Sequence, residues 1–226
     1  MSEALIGPEH SLQIRELGLV EYAPSFEAMK AFTATRDAKT PDQLWLLQHP
    51  PVYTLGLAGK VEHLLQASEV PVVKIDRGGQ ITYHGPGQAV VYLLLDLHRR
   101  QLMVRQLVNL MEQALIDVLA DWGIAAERRE GAPGVYVGEA KIAALGLKIT
   151  RGCSYHGLSL NVEMDLAPFT RINPCGYEGL RTTQLSELGV HTSVAEAHRR
   201  LAERLAALLE ERYPVILPAA QKQELV

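Results

Sequence analysis

Gly134-Val-Tyr-Val137, Gly138-Glu-Ala140 and Lys141-Ile-Ala-Ala-Leu-Gly-Leu-Lys-Ile149, followed after Thr150-Arg-Gly152 by Cys153-Ser-Tyr-His-Gly-Leu-Ser-Leu-Asn-Val162, form a nearly unbroken run of strand-type sequence. Val, Ile, Leu and Tyr fill short segments, glycines mark the joints, and Gly138-Glu-Ala140 reads as the turn of a hairpin. Consecutive strands with no helix between them pair antiparallel. The stretch therefore predicts an α/β (α+β) fold, a mixed β-sheet with packed helices, rather than the strict strand-helix alternation of a doubly wound protein.

Working outward, residues 102–122 predict a helix with Leu107, Leu110, Met111, Ala114, Leu115, Val118 and Trp122 on one face and Gly123 as its stop. Residues 194–212 predict a second, with an apolar stripe of Val194, Ala197, Leu201, Leu205 and Leu208 and a Ser193/Glu196 capping box. Residues 25–36 predict a third, on which Phe26, Met29 and Thr33 share a face. Residues 11–19, 43–48, 52–55, 70–75 and 89–97 read as strands, and even the continuous apolar run 89–97 is too short to span a membrane. At 226 residues with no evident linker, one folded unit over 11–218 is expected between a flexible start, 1–10, and a frayed tail, 219–226.

A composition of 47% hydrophobic and 21% charged residues excludes a disordered or collagen-like chain. A net charge of −4 disfavours nucleic acid as a partner. The pairs Arg99-Arg100, Arg128-Arg129 and Arg199-Arg200 read as solvated faces, or as a local patch for an acidic protein. Two cysteines are too few for a disulfide scaffold, and the first ten residues lack a secretory pattern, so a reducing, cytoplasmic setting is expected.

Chemistry concentrates in three places. Arg77-Gly-Gly-Gln-Ile-Thr-Tyr-His-Gly-Pro-Gly-Gln88 crowds glycines and hydrogen-bonding side chains between two runs read as core strands, without the spacing of a phosphate loop. Phe169-Thr-Arg-Ile-Asn-Pro-Cys-Gly176 presents Cys175 between proline and glycine, where a thiol and free amides can face a substrate; Cys153, at a strand start, reads as a small core residue. A thiol needs a partner to ionise near neutral pH. Lys141, opening an apolar strand, is one candidate if desolvation lets it take the proton, and a strand-end lysine reaching to water is the plain alternative. His84, or His156 in Tyr155-His-Gly157, is the other candidate base, and His49 stands at a strand end ahead of Pro50-Pro51. The histidines are scattered without metal-ligand spacing, so no metal is expected.

Taken together, Arg77 to Gln88, Lys141-Ile-Ala-Ala-Leu-Gly146 with Tyr155-His-Gly-Leu-Ser-Leu-Asn-Val162, and Arg171-Ile-Asn-Pro-Cys-Gly176 resemble the lipoyl(octanoyl) transferases, the LipB family, over residues 12–213. The resemblance implies a fold similar to the catalytic domain of biotin and lipoate ligases. It implies an acyl thioester on Cys175, tuned by Lys141, in a protein that moves octanoyl from octanoyl-acyl carrier protein to a lysine of lipoyl domains. The acceptors implied are 2-oxoacid dehydrogenase subunits and the glycine-cleavage H protein, with no ATP or metal cofactor, the donor itself carrying phosphopantetheine. Substrate-binding positions carried over are Arg77, Gly78, Gly79, Gln80, Ile81, Thr82, Tyr83, His84, Ala144, Leu145, Gly146, Gly157, Leu158 and Ser159, with His49 and His156 as supporting residues. Ser159 departs from the alanine expected in many members, which puts the pocket rim in question but not the reactive groups.

Overall fold

The computed structural model describes residues 11–60, 63–65, 69–173 and 179–216. In chain order they form β1 (Gln13–Leu19), α1 (Tyr22–Thr35), β2 (Gln43–Gln48), β3 (Val52–Leu55), β4 (Val72–Lys74), β5 (Ile81–His84), β6 (Gln88–Leu94), α2 (Val104–Asp121), β7 (Val135–Val137), β8 (Ala140–Thr150), β9 (Cys153–Asn161) and α3 (Val194–Arg212). Six strands make one sheet in the order β1-β2-β6-β9-β8-β7, and a smaller sheet has the order β4-β3-β5. The run from 134 to 162 pairs antiparallel throughout, whereas β1 lies parallel to β2 and β4 parallel to β3. Both sheets are thus mixed, as the strand succession predicts.

Alternation along the central strands explains the layering. Leu44 and Leu46 of β2, with Ala89, Val91 and Leu93 of β6, face α2 and α3. Trp45, Leu47, Val90, Tyr92 and Leu94 face the other way, toward Met29 and Phe26 of α1. On α2, Leu107, Leu110, Met111, Ala114, Leu115 and Val118 are all buried, each large one contributing roughly 1.5–3 kcal/mol. Gly123 follows α2 at φ +74°, and its N–H bonds back to Ala120 O.

Several boundaries and roles differ from the sequence reading. Helix α1 starts at Tyr22, not 25, because Pro24 falls in the first turn, where its missing N–H costs no intrahelical bond. At α3 only half of the capping box forms among the described residues: Ser193 Oγ accepts from Glu196 N at 3.0 Å, while the Glu196 carboxylate turns to Arg199 and Arg200. Arg99-Arg100 is no solvated pair, since Arg100 is 1% exposed and both residues ion-pair with Asp42. The run 70–75 is no core strand either. Only 72–74 pair, at the edge of the small sheet, and the stretch 77–88 contains a strand of its own, β5, rather than a plain connection.

Candidate active site

A cleft opens where the small sheet meets β8 and β9. Strand β5 contributes Ile81, Thr82 and His84, β8 contributes Ala144, Leu145 and Gly146, and β9 contributes His156, Gly157, Leu158 and Ser159, with Arg77, Gly79 and Gln80 completing one wall. Arg77 ties the walls together. Its Nη2 donates to Thr54 O and Thr54 Oγ1, both at 2.9 Å, and its Nη1 to Gly78 O, while Gly78 N–H bonds Leu147 O of β8. Gly146 makes room for this: a Cβ there would come within 2.8 Å of Arg77 Cδ.

The deep end is polar but neutral. His49 Nδ1 lies 2.7 Å from Val20 O and must donate to it, so the ring's Nε2 accepts from the Tyr92 hydroxyl, also at 2.7 Å. Nearby, His84 Nδ1 donates to Gln88 Oε1 at 2.7 Å, and Gln88 Nε2 continues to Asn161 Oδ1. Burial pushes His49 and His156 down to about 4 and His84 to about 3, so all three rings stay uncharged at neutral pH. The same burial raises the Tyr22 and Tyr92 phenols.

His156 occupies an unusual backbone position, φ +63° in mid-strand, a left-handed value that a residue with a Cβ rarely takes. Regular alternation would send Tyr155 and His156 to opposite faces. Here both reach Asp76: Tyr155 donates its hydroxyl to one carboxylate oxygen, and His156 Nε2 lies 3.2 Å from the other. Burial opposes ionisation of Asp76, but these hydrogen bonds outweigh it and hold the carboxyl below its usual range. Such strain is retained where surrounding contacts fix it, here the stacking of Phe26 on His156 and the edge contact with Tyr92.

Lys141 stands in the second position of β8 and is 4% exposed, so its amine does not reach to water as a strand-end lysine would. Its Nζ donates to Pro133 O at 2.7 Å and lies 5.4 Å from the Tyr136 ring centre. It lines a second, smaller cavity together with Thr82, Ala144 and Ser159, three residues that also line the cleft, so the two adjoin. Its backbone pairs with 181–183, the segment that returns from the Pro-Cys-Gly loop: Lys141 N bonds Arg181 O, and Thr183 N bonds Lys141 O. Cys175 itself, with Pro174 and Gly176, lies outside the described residues.

Residues 21–206 match the family described as the lipoyl protein ligase A/B catalytic domain. The octanoyltransferase of Aromatoleum aromaticum is 61% identical over 210 residues, 93% of this chain and 91% of that protein, and that of Laribacter hongkongensis is 62% identical over 201 residues, 89% and 95% respectively. The chain belongs to the octanoyltransferase family. Solved structures at lower identity share the fold. Protein Ta0514 of T. acidophilum with bound lipoic acid has a TM-score of 0.68 at 15% identity, covering 95% of this chain and 92% of that one. Lipoate-protein ligase A bound with ATP gives 0.62 at 14%, covering 96% and 92%, and the biotin protein ligase of Aquifex aeolicus gives 0.52 at 12%, covering 88% and 69%.

Within this octanoyltransferase, most positions singled out in the sequence converge on one cleft, but not all. Tyr83 is a correction: it points away from the cleft, into the apolar layer with Tyr53 and Phe169, while its neighbours Thr82 and His84 line the cleft. His49 is fully buried behind the cleft rather than lining it. Tyr22, Tyr92 and Val90 also line the cleft; Tyr92 and Val90 were read only as strand residues, and Tyr22 fell between the strand 11–19 and the helix 25–36. One signal was available for Tyr92, a lone hydroxyl inside the apolar run 89–97 that needs a partner when buried. Among the described residues no group of three His, Cys, Asp or Glu is arranged to hold a metal, and no helix is long and apolar enough to cross a membrane.

Proposed function

We propose that this octanoyltransferase moves an octanoyl group from octanoyl-acyl carrier protein to a specific lysine of lipoyl domains, through a thioester on Cys175. The Cys175 thiolate attacks the donor thioester carbon; a new C–S bond forms and the carrier thiolate leaves, taking up a proton. The acceptor lysine amine then attacks the acyl-enzyme, an amide forms, and Cys175 departs as thiolate while the amine loses its proton. Lys141 takes the thiol proton as the neutral amine and, as the resulting ammonium, is the charged partner of the thiolate, and amides near Cys175 and Gly176 stabilise the oxyanion. The one observation that supports this reading is that buried Lys141 lines a small cavity with Thr82, Ala144 and Ser159, which also line the cleft, so the lysine stands beside a cleft with partly apolar walls where an acyl chain can lie. Buried methylenes there add about 0.8 kcal/mol each.

Residues 11–218 act as one catalytic unit in the cytoplasm, with lipoyl domains of 2-oxoacid dehydrogenases and the glycine-cleavage H protein as acceptors. No nucleotide or metal is needed, since the donor thioester already holds the driving force. The rival is an ATP-dependent ligase on the same fold. Purified protein, octanoyl-acyl carrier protein and an apo lipoyl domain are expected to give octanoylated domain without nucleotide. A strict requirement for ATP would move the assignment to the ligase.

A further inference from the structure

Glu112 lies in the middle of α2, on the face turned to the sheet, and is 5% exposed. A carboxylate there is costly unless it is paired. One oxygen, Oε2, meets Arg128 Nε at 3.2 Å; the other, Oε1, accepts the N–H of Gly134 at 3.1 Å. Gly134 N–H belongs to the same peptide unit as Pro133 C=O, and that carbonyl accepts from Lys141 Nζ at 2.7 Å. A single peptide group thus stands between a buried carboxylate at its N–H end and the lysine amine at its C=O end. In a trans peptide these two groups point in opposite directions, so the three partners lie in sequence and polarise one another in the same sense.

The local backbone is shaped around this contact. Gly134 has φ +141°, and a Cβ on it would come within 2.4 Å of Lys141 Cε, 2.8 Å of Nζ and 2.8 Å of Ala143 O. The amine therefore lies directly against the Pro133–Gly134 peptide, with the Tyr136 ring on another side and Arg129 also over that ring. We infer that Glu112 is a positioning residue for the transfer reaction: through the Pro133–Gly134 peptide it fixes the place of the Lys141 amine. The inference rests on the proposed role of Lys141 at Cys175. It adds a helix residue remote from the cleft lining, which no motif in the sequence marks.

The test is a double-mutant cycle on the full chain with octanoyl-acyl carrier protein and an apo lipoyl domain. Glu112→Met keeps the bulk of the side chain in α2 but removes the acceptor; Glu112→Gln keeps an oxygen for the Gly134 N–H. Glu112→Met is expected to lower kcat about tenfold with KM for the donor nearly unchanged, because a displaced reactive group costs rate rather than binding. It should also move the pH profile of Cys175 alkylation in the direction that Lys141→Ala moves it, and Glu112→Gln should recover most of both losses. Combined with Lys141→Ala, Glu112→Met should add nothing, since residues acting through one contact are not additive. Losses that multiply in the double variant overturn the inference, as does a wild-type kcat and profile in Glu112→Met beside an altered Lys141→Ala. A wild-type profile in Lys141→Ala would remove the reading of Lys141 itself, and the relay with it. Thermal melting of each variant separates lost positioning from lost fold.

Discussion

Asp42 and His49 stand at the two ends of β2, both with no exposed surface, and they solve burial in opposite ways. Asp42 keeps its charge. Arg36 and Arg99 reach Oδ1 at 2.6 and 2.8 Å, Arg100 reaches Oδ2 at 2.6 Å, and burial, which would raise its pKa, is outweighed by these three cations. His49 gives its charge up, donating to one carbonyl and accepting from one phenol. The charged end joins α1, β6 and, through Arg100 to Tyr213 O and Glu210, the end of α3. The neutral end borders the cleft. Fixed charge thus serves as a clamp away from the cleft, while the imidazoles lining and backing the cleft stay uncharged.

The contrast breaks most visibly at the charged end. Asp42→Ala leaves Arg100 buried without its main counter-charge and is expected to cost about 3–5 kcal/mol of stability, read by denaturant unfolding. The folded fraction should still transfer octanoyl at the wild-type rate. A loss of activity per folded molecule would mean that the two ends are coupled rather than separate.

Acid titration separates the ends by their pH windows. The three cleft histidines have folded pKa values below their unfolded value of about 6.5, so the unfolded chain binds more protons between the two. Their contribution is whole above about pH 6.5 and is lost as pH falls toward about 4 for His49 and His156 and about 3 for His84. On the order of 3 kcal/mol is at stake for any one of them. Asp42, whose folded pKa is depressed, contributes above its unfolded value near 3.8 and loses that only in stronger acid. Unfolding free energy measured from pH 7 to 4 should therefore fall, and His49→Phe should flatten part of the slope; a flat wild-type curve would contradict the neutral assignment. Tyr92→Phe is the gentlest probe. It takes the hydroxyl donor from His49 Nε2, at about 1 kcal/mol.

How much of this was legible in the sequence follows from what periodicity can carry. The hairpin at 134–149, α2 and α3 were readable because their apolar positions repeat at one period and their ends are marked, by glycines at the hairpin and at Gly123 after α2, and by the Ser193 cap before α3. The small sheet was not. Strand β4 has three residues, and β5 sits inside a glycine-rich stretch whose composition speaks for a loop. Arg99-Arg100 misled because a charge pair says nothing of a buried aspartate 58 residues away. In the site, motif residues on β5, β8 and β9 were marked by their glycines, whereas Tyr92 and Glu112 lie within ordinary strand and helix patterns, Tyr22 between two such patterns, and all three acquire meaning only through long-range contacts.

The proposed passage of the octanoyl group through Cys175, under the influence of Lys141, is read out by intact-mass measurement after mixing with octanoyl-acyl carrier protein. The other thiol offers an internal control: burial pushes the Cys153 thiol up, and nearby Asp96 adds to the effect. The expected result is one octanoyl adduct that maps to Cys175, is lost in Cys175→Ala, and is discharged by an apo lipoyl domain. An adduct confined to Cys153, or full transfer activity in Cys175→Ala, would rule out Cys175 as the acyl carrier.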